Sequence, residues 1–393
     1  MKASLPTLLT GVVGLWLTAS VGAITIQPTF DASITNAANA VAITNAINIA
    51  ILNLQSNLTD NLTVKILFTS DPTISLGQSS TWETAYAYAG YLAALRSRAT
   101  SASDALALSR IPNSATDPLV NGTQIQIKQP LARLVGLDTG YGPDGFDATI
   151  TFNMPLMNFT RPPADPQKYD LVATTEHEIN EVLGFASNLG YGFPNDPIAP
   201  VDLFRYTTNL VRTYTTNGDD AYLSIDGTNL LARFNQQADG DYHDFWSATA
   251  TWSPPGTPPG PQVQDAIACP GGFQDEGPNE LLVLDVIGYT LANTPPPAPP
   301  ALTIVPSGAN QVTLAWSNSS TGFVLQERAA FTNGTWTAAA SGGNNPAVAS
   351  ATAPQKFFRL FKAAPSGIHP RPVELSAPTQ RRLVTHRLLP RLP

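Results

Sequence analysis

Residues 175–185 (TEHEINEVLGF) combine the residue types and the spacing that a metal site on a helix requires. An α-helix turns by about 100° per residue, so His177 and Glu181 lie one turn apart on the same face. Glu178 lies on the flank of that face. An imidazole and a carboxylate in this arrangement can hold one divalent cation, and the carboxylate beside the first ligand can take up a proton. The pattern therefore predicts a metal site on a single helical turn.

The opposite side of this predicted helix, which covers residues 171–185, is apolar and is expected to pack on the core. Gly184 lies on the metal-binding side, where the absence of a side chain lets neighbouring backbone pack close beneath the ligands. The apolar positions recur at three- and four-residue steps, as in a helix with one buried face; they are Val172, Thr175, Ile179, Val182, Leu183 and Ala186.

Hydrophobic periodicity predicts the other elements of this part of the chain. Helices are predicted over residues 30–54, 82–96, 100–109 and 279–287, and strands over 62–68, 123–128 and 147–152. Residues 190–280 are rich in glycine, proline and short polar residues, which is typical of long loops. A loop region of that length in a compact domain usually carries function or is held by other contacts.

The helix motif resembles that of the zincin metallopeptidases, in particular a metzincin-like branch of secreted bacterial enzymes, whose usual form is H-E-x-x-H-x-x-G. Here Glu181 stands in place of the second histidine, whereas Gly184 keeps its position. Ser187 stands where metzincins supply a third ligand, and there is no methionine after the helix for the family's Met-turn. Other segments that look similar extend the resemblance to roughly residues 28–290; they are 30–31, 76–80, 200–206, 223–227 and 284–289.

The resemblance implies an α+β fold with a zincin-like metallopeptidase domain over residues 24–293. It implies that Zn²⁺ is held by His177, Glu181 and a third ligand in residues 240–246 (GDYHDFW), either His243 or Asp244. Of these two we favour His243. A carboxylate in place of an imidazole keeps a ligand but lowers the charge of the site, so a metal-binding but slow enzyme is one expectation.

The expected activity is that of an endopeptidase acting on a peptide or protein substrate. Glu178 is implied to be the general base that takes a proton from a zinc-bound water. In zincins an edge strand pairs with extended substrate, and we expect residues 147–152 to be that strand.

Several further residues are candidates for supporting roles. Tyr191, Tyr206 or Tyr242 could stabilise the developing oxyanion, and the sequence does not select among them. Asp202 and Asp226 could orient the ligands or bind Ca²⁺, but loop capping is the commoner role of aspartates in such segments.

Composition divides the chain into segments. Residues 1–23 have a basic start, an apolar stretch too short to span a membrane and small residues at their end, which predicts a cleaved signal peptide and a secreted protein. Residues 294–301 are a proline-rich linker. Residues 302–364 read as a small all-β sandwich that resembles fibronectin-like modules. Residues 365–393, with five arginines, one glutamate and no periodicity, are predicted to be a disordered basic tail.

Charge and composition exclude other classes. The formal net charge is −8, which disfavours a nucleic-acid-binding protein. A single cysteine, Cys269, allows no intrachain disulfide. No segment after the signal peptide is apolar for the roughly 18 residues that a membrane span requires, so we expect the chain to stay off the membrane. We also expect it to be a monomer that does not bind nucleic acid.

Two alternatives to an active peptidase stay open. The first is a catalytically inactive protein of metzincin shape that binds a partner, in which His177 and Glu181 are relics. The second is a protein of adhesion or carbohydrate binding, in which the β module carries the function. Its aromatic residues could line a sugar platform, although aromatic residues at strand spacing more often belong to a core; they are Trp316, Trp336, Phe357 and Phe358.

Overall fold

The computed structural model of the 393-residue chain describes most residues after position 23. The predicted signal peptide and the proline linker lie outside the described residues. The described ranges are 24–138, 140–190, 197–216, 220–238, 240–247, 262–292, 302–316, 323–329, 335–339, 344–353, 356–362 and 379–390.

Seven helices and seventeen strands are present in the described residues. The helices are Ala32–Thr35 (α1), Ala40–Asn57 (α2), Tyr88–Arg98 (α3), Ala102–Arg110 (α4), Gln129–Leu134 (α5), Leu171–Leu183 (α6) and Pro278–Ile287 (α7). The strands are Thr25–Phe30 (β1), Thr63–Ser70 (β2), Gly77–Ala87 (β3), Gln124–Lys128 (β4), Ala148–Phe152 (β5), Met157–Asn158 (β6), Tyr169–Asp170 (β7), Arg205–Tyr206 (β8), Tyr222–Leu223 (β9), Ile267–Ala268 (β10), Thr303–Gly308 (β11), Gln311–Ala315 (β12), Phe323–Arg328 (β13), Thr337–Ala338 (β14), Ala347–Ser350 (β15), Phe357–Lys362 (β16) and Thr379–Pro390 (β17).

A mixed sheet of seven strands organises the larger part of the chain. Six strands follow the order β1-β2-β5-β3-β17-β10, and β4 pairs with the second half of β3. Strands β1, β2 and β5 are parallel to one another, whereas β3 is antiparallel to both β5 and β17. The architecture is therefore mixed, with helices and several sheets, as an α+β class requires.

Helix α6 lies between the sheet and helix α2. It contacts α2 on one side and β3, β5 and β17 on the other. Ile179, Val182 and Leu183 are fully buried in the main core, as the apolar side of the predicted helix requires. Because the polar side of α6 is buried as well, every residue of this helix is buried.

Both ends of α6 are fixed by local hydrogen bonds. Asp170 caps the first turn, where its side chain accepts a hydrogen bond from the Ala173 N–H at 3.0 Å. Arg161 holds the same carboxylate at 2.5 Å. Gly184 ends the helix in the left-handed region, with φ at +118°. The prediction of a helix from residue 171 is confirmed, and its register is set at both termini.

The described residues between 302 and 362 form two further sheets around a small core of their own. The sheets have the strand orders β11-β12-β15 and β14-β13-β16. Leu314 of one sheet and Leu325 of the other belong to the same buried cluster, and Trp316 and Phe358 pack against it. These two aromatic side chains therefore contribute to a core. Within the described residues, no helix has the length and hydrophobicity of a transmembrane span.

Several sequence predictions are confirmed in type and place, namely the strands over 62–68, 123–128 and 147–152 and the helices over 100–109 and 279–287. The prediction of a single helix over 30–54 is wrong in its first part: the segment contains the end of β1 and the short helix α1, and α2 begins only at Ala40. Ile43, Ile47 and Ile51 are buried in α2 as predicted, whereas Val41 is 75% exposed, because a turn before Ala40 changes the helical phase.

The predicted helix over 82–96 is wrong over its first part, since β3 continues to Ala87. The inward residues of β3 are polar: Ser79, Thr81 and Glu83 are all buried. A strand whose buried side is polar lacks the hydrophobic alternation on which strand prediction depends. Helix α3 then occupies the remainder of the predicted segment.

Two predictions about the sheet edge are corrected. The tail is not disordered throughout, because Thr379–Pro390 forms β17, which pairs with β3 along its length. The strand over 147–152 is not an edge strand, because β5 lies between β2 and β3. Strand β3, which contacts α6, also lies inside the sheet: β5 pairs with one of its sides and β17 with the other.

Gly184→Ala tests the helix end. We expect a loss of stability of about 2 kcal/mol, since alanine is strained at this φ by about 1–2 kcal/mol and its Cβ would lie 2.9 Å from Leu131 Cδ2. Urea unfolding measures the change. Gly90→Ala is the control: its Cβ would make an ordinary contact inside α3, 3.9 Å from Ala87 Cβ, and we expect a gain of about 0.5–1 kcal/mol. Equal effects of the two variants would contradict this account.

Candidate metal centre

The structure brings the predicted helix residues and the predicted loop residues into one buried cluster. His177, Glu178 and Glu181 come from α6, and His243 and Asp244 come from the irregular segment after β9. All five side chains are 0% exposed. Among the described residues, two overlapping groups could hold a metal ion, with ligand atoms within 4.8 Å of one another; they are His177, Glu178 and Glu181, and Glu181, Asp241, His243 and His386.

Four side chains form a closed ring of short contacts. Glu181 Oε1 lies 3.5 Å from His177 Nε2 and 3.2 Å from His243 Nε2. Asp244 closes the ring with Oδ2 at 3.7 Å from His177 Nε2 and Oδ1 at 3.5 Å from His243 Nε2. Ligands at about 2.0–2.2 Å from a tetrahedral centre lie about 3.3–3.6 Å apart. The four contacts are close to these values, but a tetrahedral site has six such separations. Among the described residues, no group whose ligand atoms all lie within 4.8 Å of one another contains both His177 and His243, so the two imidazoles would have to move closer together to hold one ion.

A backbone carbonyl fixes the orientation of the first imidazole. His177 Nδ1 donates a hydrogen bond to the Val263 carbonyl at 2.8 Å. In the neutral ring this leaves the lone pair on Nε2, which points at Glu181 and Asp244. Metal-binding histidines in proteins are held in this way by an outer hydrogen bond. The orientation of His177 therefore suits a ligand.

Further hydrogen bonds hold the two carboxylates. Ser79 of β3 donates from its hydroxyl to Glu181 Oε2 at 2.5 Å, which leaves Oε1 toward the histidines. Gln264 donates from its amide to Asp244 Oδ1 at 2.8 Å. Such contacts fix ligand orientation before a cation arrives. Strand β3 therefore orients the carboxylate of Glu181, and the loop over 262–268 orients that of Asp244.

Aromatic packing and a buried guanidinium support the segment that carries His243. Phe185 meets Phe245 edge to face, with ring centroids 5.6 Å apart. Arg205 is fully buried, donates to the Tyr242 carbonyl at 2.5 Å and lies over the Phe234 ring. Burial lowers the pKa of Arg205 to about 10, against the opposing effect of nearby acidic groups.

The charges in the cluster shift one another strongly. Burial alone would lower the pKa of His177, but Asp244 and Glu181 raise it to about 9. Burial would raise the pKa of Glu181, yet hydrogen bonds with His177 and His243 hold it well below its usual value. Burial raises the pKa of Asp244 to about 7, although both histidines oppose the change. Without a metal, a proton on His177 thus takes the place that a cation would occupy.

Glu178 is fully buried beside the ring. Its two carboxyl oxygens have no hydrogen-bond partner among the described residues. Burial, together with the negative charge of Glu181, raises the pKa of Glu178 well above its usual value. Gly77 makes the position possible, because a Cβ there would lie 2.4 Å from Glu178 Oε1. The backbone of β3 therefore approaches the carboxyl group where any larger residue would displace it.

Two members of the cluster were missed by the sequence analysis. Asp241 lies in the same segment as His243, only two residues earlier, but carried no separate signal. His386 was assigned to a disordered tail, yet it is 1% exposed, and its ring stacks edge to face on His243 with centroids 4.6 Å apart. The run Leu383-Val384-Thr385 of strand-forming residues was the available signal.

The aspartates considered for Ca²⁺ act as loop caps. Asp202 accepts hydrogen bonds from the Ser187 hydroxyl at 2.6 Å and the Ala199 N–H at 2.8 Å. Asp226 accepts from two backbone N–H groups of the turn that follows it. Neither belongs to a group of metal-ligand type among the described residues. Their carboxylates are thus engaged by the chain itself.

The tyrosines considered for the oxyanion keep no assigned role. Tyr206 lies under the Arg212 guanidinium at 4.9 Å, and Tyr242 lies against Gly190. Tyr191 lies outside the described residues. Their proposed contribution stays a prediction.

Metal affinity should rise with pH. A cation must displace the proton from His177, whose pKa without metal is about 9, so binding is weakened below that pH and levels off above it. We expect affinity to rise by at least about tenfold per pH unit between pH 6 and 8. Competition of Co²⁺ or Zn²⁺ with a chromophoric chelator measures this. An affinity that stays constant over this range would contradict the assignment of His177.

Ser79→Ala tests the hydrogen bond to Glu181. Without this donor the carboxylate loses its fixed orientation, and we expect metal affinity to fall about 10–100-fold. Thr81→Val is a matched control two residues along the same face of β3, where a buried hydroxyl without a partner among the described residues is replaced by a methyl group. Its affinity should equal that of the wild type. An unchanged affinity in Ser79→Ala would show that β3 does not orient the ligand.

Comparison with known proteins identifies no relative. No family model, no curated protein and no solved structure matches this chain. The function must therefore be argued from the geometry and chemistry of the buried cluster.

Proposed function

We propose that this chain is a secreted zinc-dependent endopeptidase with a zincin-like catalytic domain. The observation that carries the proposal is the closed ring of His177, Glu181, His243 and Asp244, with Glu178 buried beside it. Imidazole nitrogens and carboxylate oxygens are donors that zinc accepts, and a small contraction of the ring around Glu181, which contacts both histidines, would bring His177 and His243 to one ion. His177, Glu181 and His243 would hold the ion, with Asp244 as the alternative third ligand.

Bound zinc would supply a positive charge that polarises a scissile carbonyl and makes a water more acidic. The side chain of Glu178 would take the proton of that water and later deliver it to the leaving amine. Without a metal, burial and the negative charge of Glu181 raise the pKa of Glu178 and favour its protonated form; the positive charge of a bound cation would favour the ionised form that a general base requires. Its position on the helical turn of His177 keeps the base next to the first ligand.

The edge of β3 on which β17 lies is the part of the chain best placed to bind an extended peptide in place of that strand. It runs past the cluster, with Ser79 directed at Glu181 and Gly77 at Glu178. An added strand on such an edge gains backbone hydrogen bonds that do not depend on side chains. The role that the sequence analysis gave to residues 147–152 therefore passes to β3, and the antiparallel pairing of β3 with β17 supports this position.

A metal-binding protein without catalysis is the second candidate. The complete burial of the cluster favours it, since a catalytic centre needs access for substrate and water. The carboxylate of Glu181 in place of a neutral imidazole also reduces the polarising power of a bound cation. Measured cleavage separates this candidate from the first.

Glu178→Gln tests the catalytic proposal. The amide cannot take up a proton, so we expect cleavage of a quenched peptide library to fall by about 10²–10⁴-fold, while metal content stays at one ion per chain. Glu176→Gln is the matched control on the same helix: Glu176 is also buried, burial raises its pKa to about 8 and it contacts Asn53. Because glutamine has the shape of a protonated glutamate, this variant should cleave as the wild type does. Cleavage by Glu178→Gln equal to that of Glu176→Gln would overturn the role of Glu178.

A further inference from the structure

Strand β17 lies between β3 and β10, beside the cluster. Its register against β3 runs from Thr379 opposite Ala85 to Leu388 opposite Gly77, with an irregularity after Thr379. On its other side, Leu389 pairs with Ile267 of β10. The strand thus fills the groove between the edge of β3 and the loop that carries Val263, the residue that orients His177.

Alternate side chains of β17 point into the molecule. Val384, His386 and Leu388 are buried, whereas Leu383 and Arg387 are exposed. Because residues of one strand face point the same way, the register that buries Val384 also delivers His386 to the cluster. The position of this histidine is therefore set by the pairing of the whole strand.

The side chain of His386 contacts two residues of the buried cluster, Asp241 and His243. Its Nδ1 lies 3.4 Å from Asp241 Oδ2, and its ring meets the ring of His243. Ligand atoms of Glu181, Asp241, His243 and His386 all lie within 4.8 Å of one another. Two of these four residues are the ligands that α6 and the loop supply to the proposed zinc site.

Specific polar contacts dock the strand. Arg382 Nε donates to Glu83 Oε1 at 2.8 Å, where the glutamate is buried in β3. Thr385 and Ser80 join their hydroxyl groups at 2.7 Å. The backbone N–H of Arg387 donates to Asp241 at 2.9 Å. The strand is therefore held by side chains as well as by its ladder, and it fits this groove specifically.

We infer that β17 is an intramolecular blocking strand that carries His386 to the metal centre as an additional ligand. The inference rests on the proposed function in one respect, that the edge of β3 is where a peptide substrate would bind. A catalytic zinc site needs an open position, and an additional histidine fills it. Because the strand belongs to the same chain, its pairing is intramolecular, and a substrate has to compete against its effective concentration at the groove.

Metal affinity tests the role of His386 without reference to activity. We expect His386→Ala to bind Zn²⁺ and Co²⁺ at least tenfold more weakly than the full-length wild type and to change the Co²⁺ absorption spectrum. His369→Ala, which replaces the other histidine after residue 362, is the control and should match the wild type. An affinity and a spectrum equal to those of His369→Ala would overturn the assignment of His386 as a ligand.

Peptide binding tests the groove in a variant that keeps every proposed ligand. Arg382→Glu places a negative charge against buried Glu83 and should release the strand. A labelled peptide of residues 379–390, which still carries arginine at this position, should then bind the full-length variant at least tenfold more tightly than the wild type. Arg387→Glu makes the same charge change on the exposed side of the strand and should behave as the wild type. Equal peptide binding by all three proteins would overturn the blocking strand.

Cleavage assays of the same proteins separate the two proposals. If Arg382→Glu takes up the peptide but neither it nor the wild type cleaves any substrate, the blocking strand stands and the peptidase proposal fails. If the wild type cleaves as fast as Arg382→Glu and takes up the peptide as well as that variant does, the peptidase proposal stands and the blocking strand fails. Cleavage that rises at least tenfold in Arg382→Glu but not in Arg387→Glu supports both.

Discussion

The burial of several charged side chains around Glu181 is the constraint on which the rest of the structure depends. His177, Glu181, His243 and Asp244 are completely removed from water. An ionised carboxylate without compensation costs several kcal/mol in such surroundings. The cluster is stable only with positive charge among its carboxylates, and the two imidazoles provide it either as protonated rings or as partners of a cation. Each neighbouring element holds one of these groups in place.

Three parts of the fold hold the charged side chains of the cluster in place. Helix α6 is capped at both ends, which sets the rotation of its polar side. Strand β3 offers a polar inner face, with Ser79 on a ligand and Gly77 close to Glu178. In the described parts of the irregular segments after β9 and before β10, backbone bridges join Phe245 to Phe234 and to Asp265. Arg205 and the aromatic pair of Phe185 and Phe245 pack around the same segment. The positions of the side chains in the cluster are therefore set by the packing of the elements around them.

The sequence predicted the centre better than it predicted the elements around it. The phase of α6 follows from helical periodicity, so the placement of His177 and Glu181 on one side required no tertiary information. Strand β3 could not be found by the same means, because its buried face serves the cluster and is polar where a core strand would be apolar. The local pattern fails at the position where tertiary contacts decide what is buried.

His386 and β17 were missed for a different reason. Arginines and prolines give residues 365–393 the composition of a disordered tail. In the structure the charge of Arg382 is matched by Glu83, which lies about three hundred positions earlier in the chain. Long-range ion pairs leave no local trace in a sequence, so composition alone misjudged a segment whose partners are distant.

The large separation of β3 and β17 in the sequence affects how the chain folds. Ser80 and Thr385 are separated by 305 residues, and the β module lies inside the loop that their pairing closes. Closing a loop of this length costs only about 2 kcal/mol more entropy than closing one a tenth as long, but the search for such remote contacts is slow. During folding the edge of β3 therefore stays unpaired after the local elements have formed. At high protein concentration that bare edge can recruit the C-terminal strand of another molecule, so strand exchange between chains is the expected route of misassembly.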